Sequence, residues 1–90
     1  MSQAIVDPEE LRRFANNLKR FNSELQAQMQ MLHGQFQSLG ETWRDKEHQR
    51  FGEEFERTMR SIAGFVEAVE EHVPFLLRKA DRIDEYLRQR

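Results

Sequence analysis

The chain has no cysteine, so disulfide bridges and thiolate metal sites are excluded. Glycine and proline are scarce, at 4 and 2 of 90 residues, and no Val/Ile/Thr-rich run of the kind that builds strands appears. No apolar stretch approaches the ~20 residues that cross a membrane as a helix. The N-terminus lacks the basic-then-apolar layout of a cleavable signal, so any export is expected to use a route that reads another feature. Charge of one sign is missing as well. Fourteen basic and sixteen acidic residues are mixed along the chain, giving a net charge of −2 and no overall field to hold a nucleic-acid backbone.

What is present points to one small, water-soluble, highly charged all-α domain over residues 1–90, rich in Glu, Gln, Arg, Leu and Phe. Asp7-Pro8-Glu9-Glu10 is a helix start: Asp7 suits the cap, Pro8 the first turn, and the two glutamates the positive end of the helix dipole. Leucine then recurs every seventh residue at Leu11, Leu18, Leu25, Leu32 and Leu39, flanked by Phe14, Phe21, Met29 and Phe36. The flanking residues move from three to four positions after each leucine. The stripe therefore follows 3.6 residues per turn rather than a strict leucine zipper. A first helix is predicted over about 8–39, a rod of about 46 Å.

Gly40 directly follows this stripe, where a left-handed helix-ending conformation is commonly adopted by glycine. A turn is predicted over about 40–45. The next helix starts either from a Thr42-to-Asp45 capping box or from Asp45 acting alone as cap, and both leave Trp43 at the bend. Beyond it, Phe51, Phe55, Met59, Ile62, Val66, Val69, Val73, Leu76, Ala80, Ile83 and Leu87 form a second apolar face. This predicts a helix over about 46–89, or about 67 Å, kinked near Pro74 or broken there into a short third helix. The arrangement is an antiparallel two-helix hairpin. Phe65, Phe75, Leu77 and Tyr86 lie off the main stripe, which is more apolar surface than one hairpin partner covers. A second molecule is the simplest cover.

Chemistry of a catalytic kind finds no support in the residue pattern. His33, His48 and His72 are far apart, none forms a metal-binding i, i+4 pair, and all three are expected at the surface. Glu53, Glu54, Glu67, Glu70 and Glu71 are not accompanied by a nucleophile motif or a glycine-rich phosphate loop. No catalytic, cofactor or metal site is expected. Met29, Met31 and Met59 at helical spacing read as core filling. Trp43 fits either an apolar cap over the end of the hairpin or a recognition residue.

A chain just under one hundred residues, a helix-corner-helix pattern, Trp43 at the bend and the aromatic Phe51 eight residues later together resemble the WXG family, the ESAT-like proteins linked to type VII secretion. Trp43 matches the family's Trp-x-Gly motif. Asp45 stands at its glycine position, where Asp both caps a helix and tolerates unusual backbone angles, and Gly40 supplies part of the turn. Tyr86 matches the tyrosine of the family's C-terminal Tyr-x-x-x-Asp/Glu export signal, while Arg90 reverses the charge at its acidic position.

The resemblance implies hairpins paired antiparallel into an elongated four-helix-bundle dimer. Such dimers are exported folded, with turn and tail read by a secretion ATPase, which would give Trp43 and Tyr86 recognition roles. A homodimer is favoured over a heterodimer with a related hairpin. The interface is expected to draw on Leu11, Phe14, Leu18, Phe21, Leu25, Leu32, Phe36, Phe51, Phe55, Met59, Ile62, Val66 and Val69. The implied role is that of a secreted substrate, or of an adaptor or chaperone for a larger effector. Arg90 and Asp45 favour the alternative, a cytoplasmic helical scaffold that binds a coiled-coil partner and is not exported.

Overall fold

A computed structural model describes residues 6–89, which form α1 (Pro8–Leu39, 32 residues) and α2 (Lys46–Arg88, 43 residues) joined by a short corner. No strand occurs among the described residues. The two helices run antiparallel. Arg12 in the first turns of α1 reaches Asp81 and Asp84 late in α2, while Phe36 at the other end of α1 stacks on His48 in the first turn of α2.

Each helix starts on an aspartate. Asp7 is extended and its carboxylate accepts the Glu9 N–H at 2.9 Å; Asp45 accepts the His48 N–H at 3.0 Å. Both satisfy a donor that the first helical turn leaves without a partner. α2 continues through Pro74 as one helix to Arg88, with no third helix among the described residues. Pro74 offers no N–H to the helix, yet residues of the same apolar phase lie inside on both sides of it, at Val66, Val69, Val73 and Ala80.

The most deeply buried positions of the seam between the helices carry small side chains. Ala15 and Ala80 are fully buried, Val66, Val69 and Val73 nearly so, and Asn22 is only 5% exposed. On α1 the buried set is Pro8, Ala15 and Asn22, one residue per two turns. The Asn22 amide Nδ2 donates to the Val66 carbonyl at 3.1 Å, while its Oδ1 is buried with no hydrogen-bond partner among the described residues. No large side chain is fully buried there.

The hairpin is long and thin. It measures 68 × 24 × 15 Å, with a radius of gyration of 20.1 Å against the ~12 Å of a compact domain of this length. Its accessible surface of 7352 Å² compares with roughly 5,600 Å² for a compact monomer of the same mass.

The corner and the apolar face as the candidate functional site

At the corner, Gly40 is right-handed, with φ −65° and ψ −13°, and no described residue has a positive φ. The left-handed helix end expected at Gly40 does not form. The chain instead winds on in tight turns: the Gly40 N–H donates to the Phe36 and Gln37 carbonyls, and the Glu41, Thr42 and Trp43 N–H groups to Ser38 and Leu39. The glycine serves close approach. A Cβ there would stand 3.3 Å from the Gln37 carbonyl oxygen and 3.6 Å from two atoms of the His48 ring. Of the two starts open for α2, Asp45 caps alone, and the Thr42 hydroxyl is directed back to the Leu39 carbonyl at 3.4 Å. Arg44 Nε donates to the Gly40 carbonyl at 3.3 Å, satisfying an acceptor at the end of α1.

Trp43 is half-buried and closes an aromatic cluster at this end of the hairpin. Its ring meets His48 edge-on at 4.9 Å between centroids and lies 6.3 Å from Phe51. His48 stacks on Phe36 at 4.9 Å and 11°, and Phe36 also packs against Phe55 at 5.0 Å. Offset and edge-on ring pairs of this kind add to simple burial. His48 is thus a packing residue of the corner rather than the surface histidine expected; only the ring's place against Gly40 could have marked it, and that is not a sequence feature. His33 is half-buried and meets Glu56 across the hairpin at 3.2 Å, while His72 is exposed. Gly52 allows the same close approach from α2, since a Cβ there would stand 3.1 Å from the Phe36 ring.

The large apolar residues divide between the seam and one flank. Leu11, Leu18, Leu25, Met29, Phe36, Phe55, Met59 and Ile62 are half-buried, and Val66 and Val69 buried. Phe14, Phe21, Leu32, Phe51 and Phe65 remain exposed, Phe21 at 51%. Phe21 and Phe65 meet edge-on across the two helices at 6.4 Å, so the exposed residues of α1 and α2 lie on the same side. Phe14 and Leu32 continue this side along α1 at helical spacing, with half-buried Leu25 at its inner edge. Ala15 and Asn22, which hold the centre of the seam, are missing from the expected apolar set because neither stands out as a large apolar residue.

At the open end, Arg12 bridges three carboxylates: Glu9 at 2.9 Å and Asp81 and Asp84 at 2.8 Å each. Hydrogen bonds to Asp81 first, then Asp84, hold the guanidinium pKa above its ordinary arginine value. A raised folded pKa stabilises at every pH below the unfolded value, so this clamp is constant across the neutral range. Tyr86, one turn beyond, is 59% exposed. The charge reversal at Arg90 lies outside the described residues. Among the described residues no cluster of His, Asp or Glu could hold a metal ion, and no helix is long and apolar enough to cross a membrane.

Solved structures of a secreted protein, EsxB, from Bacillus anthracis str. Sterne have this fold. A selenomethionine-labelled form is 29% identical, with a TM-score of 0.76 over 96% of this chain and 98% of that one. The wild-type protein in another crystal is 30% identical, with a TM-score of 0.76 over 92% and 89% of the two chains. A single-site variant gives 29% identity and a TM-score of 0.75 over 94% and 98%. No curated protein matches the chain. The family model described as proteins of 100 residues with WXG matches residues 3–86, and with Trp43 at the corner of such a hairpin the chain belongs to the WXG100 family.

Proposed function

We propose that the chain is a non-catalytic, secretion-associated protein that works as a dimer of hairpins, exported by a route independent of a signal peptide. The observation that carries the pairing is the exposed side marked by Phe14, Phe21, Leu32 and Phe65 on a hairpin that fully buries no large side chain. Apolar surface stabilises a contact by about 25 cal/mol per Å² removed from water. Two hairpins laid antiparallel, face to face, would cover that side and form a four-helix bundle of elongated shape. The same side is present on every copy, so a self-complementary twofold pair, a homodimer, needs no second gene product.

Export is supported by membership of the family and by likeness to a protein described as secreted. In this reading Trp43 and Tyr86 are recognition residues for a secretion ATPase, the first on the corner cluster and the second on the exposed end of α2. A cargo or larger effector would ride on the dimer.

Two measurements test the two halves separately. Light scattering on the purified chain should return twice the 10.9 kDa of one copy; a well-folded monomer at micromolar concentration sinks the pairing. Culture supernatant should contain the tagged protein only while the secretion ATPase is intact. Retention in the cytoplasm in both strains favours the scaffold reading, to which Arg90 at the acidic signal position points.

A further inference from the structure

We propose that the outer face of the last turns of α2, carried by Phe75, Lys79, Arg82 and Tyr86, docks an acidic amphipathic helix of a protein partner. The spacing of four, three and four residues puts these side chains in one row about 17 Å long. All four are exposed, Phe75 at 48%. The row is centred about 140° round the helix from the seam residues Val73 and Ala80 and about 70° from Phe65. Pairing of hairpins therefore leaves its outer edge, Phe75 and Arg82, open and has Lys79 and Tyr86 at its rim.

Neither the seam nor the apolar side accounts for an exposed phenylalanine at position 75. The charges of this segment are also divided. Asp81 and Asp84 are drawn to Arg12 on the α1 side at 2.8 Å each, which removes two of the nearby acids as counter-charges. Among the described residues Lys79 and Arg82 make no ion pair. What is left outward is cation between two aromatic rings. Arg82 offers a planar fork suited to a carboxylate, Lys79 a point charge, and the two rings offer apolar platforms for a side chain between the acids.

The patch is one helix wide. Glu71 ends the row one turn before Phe75, and Glu85 borders it on the far side. A flat anionic surface such as a membrane would meet those carboxylates too, whereas a single helix laid along the row meets only the cations. Three turns of partner helix with acidic residues flanking an apolar one match its length.

The test uses the full chain and a labelled synthetic peptide that folds as a helix with glutamates flanking a leucine row. Saturable binding is expected, weakened by added salt. Lys79→Glu with Arg82→Glu should weaken it at least about tenfold. Phe75→Ala should weaken it severalfold. Helix content should be unchanged in all variants, since none of these residues is buried in the seam, and mass by light scattering, read alongside, tells any loss of pairing from loss of peptide binding. Absence of peptide binding, or equal binding by the doubly reversed variant, overturns the inference. So does charge-dependent binding to phosphatidylserine vesicles without peptide binding, which would make the surface a membrane contact. The paired state enters only in deciding which face stays open: a monomer that binds the peptide sinks the pairing alone, and a dimer that ignores it sinks this inference alone.

Discussion

The two sides of α1 that meet apolar partners are built on opposite rules. Toward α2 the helix presents Pro8, Ala15 and Asn22, and on its flank it presents Phe14, Phe21 and Leu32. Small residues let two helix backbones approach closely, but they remove little apolar area from water. The large residues are thereby only partly covered, and those of the flank are left for a second surface. If that surface pairs as proposed, folding and assembly draw on the same store of burial, and the hairpin's stability should rise with protein concentration.

The strongest way to break this division is to charge the flank while sparing the seam. Phe14→Glu with Phe21→Glu removes four large apolar groups from a homodimer, each worth about 1.5–3 kcal/mol when fully buried and about half that here, since the hairpin already covers nearly half of each ring. The dimer should weaken by roughly two to four orders of magnitude, read by light scattering across a dilution series. If the flank is idle, the doubly charged protein will keep the mass and melting point of the parent.

Next in size is the reverse experiment. Ala15→Leu leaves the flank untouched and inserts three carbons into a fully buried position of the seam. Overpacking of this kind costs about 1–3 kcal/mol, visible as a lower denaturant midpoint. A neutral outcome would mean that the helices separate freely at that point and that the seam is not close-packed.

The division itself is only half legible in the residue pattern. Both helices follow from periodicity and caps, because Asp7-Pro8 and Asp45 carry their reasons locally. The exposed side could also be anticipated, since two stripes of leucine and phenylalanine exceed what one partner covers. Which residues face inward could not. Hydropathy weights Phe14 and Phe21 above Ala15 and Asn22, whereas the inward choice depends on how closely two backbones approach, a property of the pair of helices. Gly40 and His48 failed for the same reason: their roles arise from α2 meeting the end of α1, which no local pattern contains.

A smaller effect separates capping from packing. Asp45→Ala removes the acceptor for the His48 N–H and should cost about 1 kcal/mol by chemical denaturation. Because neither seam nor flank is touched, the dissociation constant of the dimer, read from a dilution series that spans it, should not change. A large loss of assembly in this variant would show that the corner cluster of Trp43 and His48 depends on the cap and belongs to the interface.

The smallest expected change carries the sharpest distinction. If Gly40 were left-handed, Gly40→Ala would cost roughly 1–2 kcal/mol in backbone strain alone. In the right-handed conformation at φ −65° that strain is absent. Alanine restricts the unfolded chain, which stabilises by about 0.4–1 kcal/mol. Against this stands the 3.3 Å approach of its Cβ to the Gln37 carbonyl oxygen, which a slight shift of the backbone relieves, whereas the 3.6 Å distance to the His48 ring is ordinary van der Waals contact. These terms nearly cancel, so the denaturant midpoint should stay close to that of the parent. Gly40→Leu, which cannot be accommodated by so small a shift, should push His48 off Phe36 and perturb the near-UV signal of Trp43. That pair of results would place Gly40 with Ala15 and Ala80, as a residue kept small so that the two helices can meet.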